Sequence, residues 1–91
     1  MGRETRLILL SAALDLKRIT TGYQSGSIKM SDRFAQEALR WIKDINVSQL
    51  DPYMRKIIKS LPQQLSVTDK KARAETALTY SLILQNYALA R

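Results

Sequence analysis

From Thr76 to Ala90 the chain passes without a single Asp, Glu, Lys or Arg. Leu78, Leu82 and Leu89 recur there at helical spacing, and Ala74, Ala77, Ser81 and Ala88 form a second face of small residues. Tyr80, Ile83, Leu84 and Tyr87 cover much of the remaining circumference. An ordinary surface helix has one apolar stripe and one charged face. A helix uncharged all round expects neighbours on more than one side. The stretch is too short, and too rich in Thr, Ser, Gln and Asn, to span a bilayer. Two readings stand: the central helix of a tight bundle, or a surface that self-associates or docks a companion protein. On the second reading Leu78, Leu82, Tyr87 and Leu89 are the interface residues.

The rest of the chain has to supply those neighbours with few residues. Ninety-one residues make one domain, 1–91. A chain of this size buries about 60–65% of the surface its unfolded form exposes, so its own core is thin. Hydrophobic residues make up 45% and charged residues 25%, a globular balance.

Periodicity places three further helices. The first runs from about Arg3 to Thr21, with one stripe through Leu9, Ala12, Ala13, Leu16 and Ile19 and another through Leu7, Leu10 and Leu14. Gly22 stands where a helix usually stops, because glycine takes the left-handed C′ conformation at little cost. Tyr23 to Met30 reads as a loop, followed by a second helix that Ser31 or Asp32 caps and that continues to about Ile45. Trp41 falls on the apolar face of that helix and reads as core. Asp51 and Pro52 open a short third helix, capped by one and started by the other, which Pro62 ends. Ser66-Val67-Thr68-Asp69 resembles a capping box for the last helix. The expected fold is an all-α, compact bundle of about four helices, three long and one short, with up-down connections.

Catalysis requires a proton carrier, an activated nucleophile or a metal. The chain has no histidine and no cysteine. Its carboxylates lie close to basic residues, as Glu37 does between Arg33 and Arg40, and such pairing makes a poor general acid. No spacing suits a calcium, magnesium or zinc site. The stretch from Gly22 to Lys29 lacks the phosphate-loop pattern and no strand precedes it. The expectation is a protein that is not an enzyme, with no metal, cofactor or small-molecule substrate. The N-terminal residues lack a signal-peptide pattern, and the expected location is cytoplasmic.

The net charge is +7, from 15 Lys and Arg against 8 Asp and Glu. Such an excess suits nucleic acid, an acidic protein or an anionic membrane surface. Arg55, Lys56 and Lys59 occupy the polar side of the third helix, and Lys70, Lys71 and Arg73 begin the fourth. A short connection separates the two groups, so they could merge into one surface for a DNA or RNA backbone. Base-specific reading is disfavoured, since the third helix, ended at Pro62, offers no Asn or Gln to read base edges. The sequence therefore predicts a non-catalytic binding module or small subunit of a larger assembly. It contacts an acidic macromolecule through these six cations. The alternative is a protein–protein adaptor that works through its uncharged last helix as a homo-oligomer or with a companion chain.

Overall fold

In the computed structural model, which describes residues 1–90, helices α1 (Arg3–Gln24), α2 (Ile28–Lys43), α3 (Pro52–Leu65) and α4 (Lys70–Ala90) are joined by short connections. One 3₁₀ turn, Val47–Gln49, lies between α2 and α3. The described residues are all-α, as the sequence predicts.

The first turn of the chain differs from expectation. Helix α1 does not stop at Gly22 but continues through it to Gln24. Gly22 is buried, and a Cβ added there would stand 2.9 Å from the Ser31 backbone nitrogen. Its role is close approach between α1 and α2. The chain reverses over Ser25–Ser27, where Gly26 takes φ +83°, the left-handed conformation glycine adopts without strain. The hydroxyl of Ser27 accepts from the Met30 amide at 3.2 Å and caps α2. Ser31 and Asp32 lie inside the helix, one turn beyond the cap the sequence suggested.

Helix α3 starts as predicted: the Asp51 carboxylate accepts from the Met54 amide at 2.9 Å, with Pro52 in the first turn. Pro62 does not end it. The ring removes one backbone donor, but Leu65 continues the apolar stripe of Ile58 and Leu61 and is buried with them, so packing holds one more turn. Ser66 closes α3 instead of opening α4. Asp69 alone does the N-terminal capping, accepting from the amides of Lys71 and Ala72 at 3.0 and 3.3 Å.

The helices alternate in direction. The Thr20 hydroxyl donates to the Ala74 carbonyl at 2.7 Å, which sets α1 antiparallel to α4. Asp51 and Ser60 on the α3 side meet Tyr87 and Tyr80 of α4, so α3 and α4 are antiparallel too. Helix α1 packs most closely on α2 and α4, and Leu9, Leu16 and Ile19 are wholly buried there. Helix α4 turns its small residues inward: Ala74, Ala77, Ser81 and Ala88 are all buried, with Leu84 between them. Small side chains allow two helix axes to approach closely. The cost of that choice is that its leucines at 78, 82 and 89 face elsewhere.

Candidate interaction surface

Leu78, Leu82 and Leu89 are 39%, 52% and 64% exposed. They form one stripe along the side of α4 that flanks α1, with Gln85 between them. Gln85 lines a shallow groove with Leu10, Ala13, Leu14 and Lys17 of α1. Leu14 in that groove and Leu7, which lines a depression with Trp41 and Asp44 on the α2 side, are also about half exposed. The second apolar stripe of α1 and the leucine stripe of α4 thus adjoin and make one broad face. Within it no side chain from Leu7 to Leu14 or from Thr76 to Ala90 carries a charge. Lys17 lines the groove itself. The sequence singled out the α4 leucines; it gave no means of joining them to Leu7 and Leu14.

Tyr87, named with those leucines from the sequence, belongs to the other side. It is buried, and its hydroxyl accepts from the Asp51 amide at 3.3 Å where α4 meets the start of α3. Its spacing from Leu84 and Ser81, both buried, is the signal that would have placed it inside.

The six cations do not form one surface. Arg73 is 5% exposed. One of its terminal nitrogens donates to the Ser31 hydroxyl at 2.8 Å and stands 2.7 Å from the Asp32 carboxylate. Lys70 reaches the same carboxylate at 3.1 Å. These two residues tie the start of α4 to the start of α2 and are spent on that contact. Ser31, itself fully buried, passes the network on by donating to the Ile19 carbonyl at 2.9 Å. The Arg73 and Lys70 side chains hold the Asp32 carboxyl below the usual carboxylate range, the hydrogen bond from Arg73 being the larger cause. Lys71 stays exposed on α4, apart from this network.

On α3, Arg55, Lys56 and Lys59 do share a surface, a shallow depression lined with Pro52 and Tyr53. Arg55 is partly engaged in structure, since its Nε donates to the Val47 carbonyl at 3.0 Å and braces the 3₁₀ turn. Tyr53 is 61% exposed. Helix α3 carries no acidic residue between Pro52 and Leu65.

Trp41 is not core. It is 38% exposed, and its indole N–H donates to the Asp15 carboxylate at 3.1 Å across α1 and α2. Asp15 also takes Arg18 at 3.4 Å, and Arg18 lies 5.2 Å over the Phe34 ring. Burial pushes the Asp15 carboxyl up, with the Trp41 hydrogen bond and the Arg18 charge opposing.

Among the described residues, no group of three or more Asp, Glu, His or Cys side chains could hold a metal ion, and no helix is long and apolar enough to cross a membrane. No protein family, curated protein or solved structure matches this chain.

Proposed function

We propose that this chain is a non-catalytic docking module that binds protein through the α1–α4 face. The observation that carries the reading is the outward leucine stripe of α4, exposed beside the exposed leucines of α1, with Lys17 the one charged side chain lining the groove between them. Single exposed apolar residues are normal, whereas a contiguous apolar patch of several hundred Å² marks an interaction site. Helix α4 buries Ala74, Ala77, Ser81 and Ala88 together with Leu84 and Tyr87, and leaves three of its four leucines on the outside.

An apolar dye that fluoresces on hydrophobic surfaces, read together with the association state, tests the reading. The intact chain should bind dye or associate as its concentration rises. A Leu82→Glu, Leu89→Glu variant should remain helical, fold cooperatively and lose both behaviours. Loss of helicity in the variant would place these leucines in the core; indifference of both readouts to the substitutions would remove the docking face.

A second reading rests on Tyr53. An exposed aromatic ring beside Arg55, Lys56 and Lys59 is a combination that holds single-stranded nucleic acid, by base stacking and phosphate contact. This surface is smaller than the six-cation surface expected from the sequence, and it supports weak, salt-sensitive contact in place of base-specific reading. Electrophoretic or anisotropy titration with a single-stranded oligonucleotide at low and physiological salt tests it, and salt-independent affinity would argue against it.

A further inference from the structure

Helix α2 packs closely on α1 and only loosely on α3, and a groove of about 500 Å³ opens where α2 and α3 part. We infer that this groove holds an acidic amphipathic segment of another protein, its apolar side chains on the floor and its carboxylates against the rim. It is a second surface, separate from the α1–α4 docking face.

The floor is aliphatic and the rim is basic. Ile42 is buried and Leu39 half-buried, and with the exposed Pro62 ring they make the floor. Gln36, Arg40 and Lys43 stand beside them, all exposed. Intervals of four and three residues put these side chains on one face of α2. On α3, Lys59 and Arg55 precede Pro62 by one and two turns on the same side, so cations of the neighbouring depression continue the rim. Among the described residues, no acidic side chain lines the groove. The acids of α2 lie elsewhere. Glu37 and Asp44 line depressions on its α1 side, and Asp32 is taken by Lys70 and Arg73. Arg40 does reach Glu37 at 3.3 Å, but its side chain is 73% exposed. An ion pair so open to water is weak and leaves the guanidinium available to a partner.

A rim of cations with no acid among them attracts an anionic partner. A second copy of this chain, at +7, brings the same sign to it. The floor decides which anion fits. Single-stranded nucleic acid stacks its bases on aromatic rings, and Leu39, Ile42 and Pro62 offer none. Tyr53 precedes Pro62 by half a helical rotation and does not line this groove. A phosphate backbone gains nothing from aliphatic surface. An amphipathic peptide uses both parts: aliphatic or aromatic side chains fill a groove of this size, and Asp or Glu beside them meets Arg40 and Lys43.

Selection of short random peptides displayed on phage, against the intact chain at physiological salt, tests the inference. Recovered peptides should combine Asp or Glu with aliphatic or aromatic residues. As free peptides they should lose at least about tenfold in affinity for an Arg40→Glu, Lys43→Glu chain. Selection against that chain should return Lys or Arg in place of the acids. Gln36→Glu, at an exposed position, should weaken binding too and serves if the double variant fails to fold. Leu82→Glu should leave the affinity unchanged, which separates this groove from the α1–α4 face. Peptides without acid enrichment, or indifferent to the Arg40, Lys43 and Gln36 substitutions, would overturn the acidic partner. Peptides lost only in Leu82→Glu would overturn it in favour of the other face. Failure to recover peptides, with salt-sensitive binding of a single-stranded oligonucleotide that Arg40→Glu, Lys43→Glu weakens, would overturn it in favour of nucleic acid. Binding of neither probe would overturn it outright.

Discussion

Arg73 and Asp32 form the contact that joins the first turn of α4 to the first turn of α2, at 2.7 Å. The guanidinium is buried, while the carboxylate side chain is 45% exposed. The asymmetry decides what substitution does. Removing Asp32 leaves a buried cation with Ser31 as its remaining neutral partner. Water reaches the carboxylate, which reduces the loss, so Asp32→Ala is expected to cost about 1–2 kcal/mol. Adding Arg73→Met to Asp32→Ala should recover part of that cost, because no buried charge remains. Urea unfolding of the two single variants and the double variant checks this. A double variant no more stable than Asp32→Ala alone would contradict it.

The two perturbed carboxylates act in opposite directions with pH. Asp32 has a folded pKa below its unfolded value, so the unfolded chain binds the proton first as pH falls. Its stabilisation is complete above the ordinary aspartate range and is lost as pH falls through the lowered folded value. Asp15 has a folded pKa above its unfolded value, because burial disfavours its charge. Its contribution therefore favours the fold at low pH and declines as pH rises from the ordinary aspartate value through the raised one. Unfolding curves across this range should show Asp15→Asn flattening the decline and Asp32→Asn flattening the rise.

Trp41 gives Asp15 an optical reporter. It is the one tryptophan in the sequence, and its N–H donates to the carboxylate at 3.1 Å. Intrinsic fluorescence should titrate with a midpoint above the ordinary aspartate range, and Asp15→Asn should abolish that transition. An unchanged titration in the variant would assign it to another group.

Two glycines near the α1–α2 turn should respond differently to alanine. At Gly22 the new Cβ would lie 2.9 Å from backbone, which cannot swing aside as a side chain does. At Gly26 nothing lies within 4 Å and the cost is conformational alone. Gly22→Ala should destabilise by about 2–3 kcal/mol and Gly26→Ala by about 1 kcal/mol. Thermal unfolding checks the order, and a larger effect at Gly26 would reverse the assignment of roles.

The all-α architecture was legible because periodicity, the Asp51–Pro52 helix start and the absence of strand signals all agree. What was not legible depends on which of two neighbours a residue meets. Gly22 suits both a helix end and a close helix approach, since both require only the lack of a Cβ. Arg73 resembles its exposed neighbour Lys71 in composition, yet it precedes Ala77 and Ser81 by whole turns on the buried face. Reading that phase would have separated it from the basic surface. Pro62 is a helix breaker by backbone chemistry, and the continuing stripe of Ile58, Leu61 and Leu65 outweighs it. Trp41 carried an apolar label that hid its N–H, whose acceptor Asp15 lies on another helix. Leu78, Leu82 and Leu89 were recognised together, but their continuity with Leu7 and Leu14 depends on the register of α1 against α4, which hydrophobic periodicity does not contain.

The central claim is that α4 presents its leucines outward to bind protein. Comparing sedimentation of the intact chain and Leu82→Glu, at matched helicity and with apolar dye present, tests it most directly. The account predicts dye binding or concentration-dependent association for the intact chain and a folded monomer that does neither for the variant. Two monomers that both fail to bind dye would contradict it.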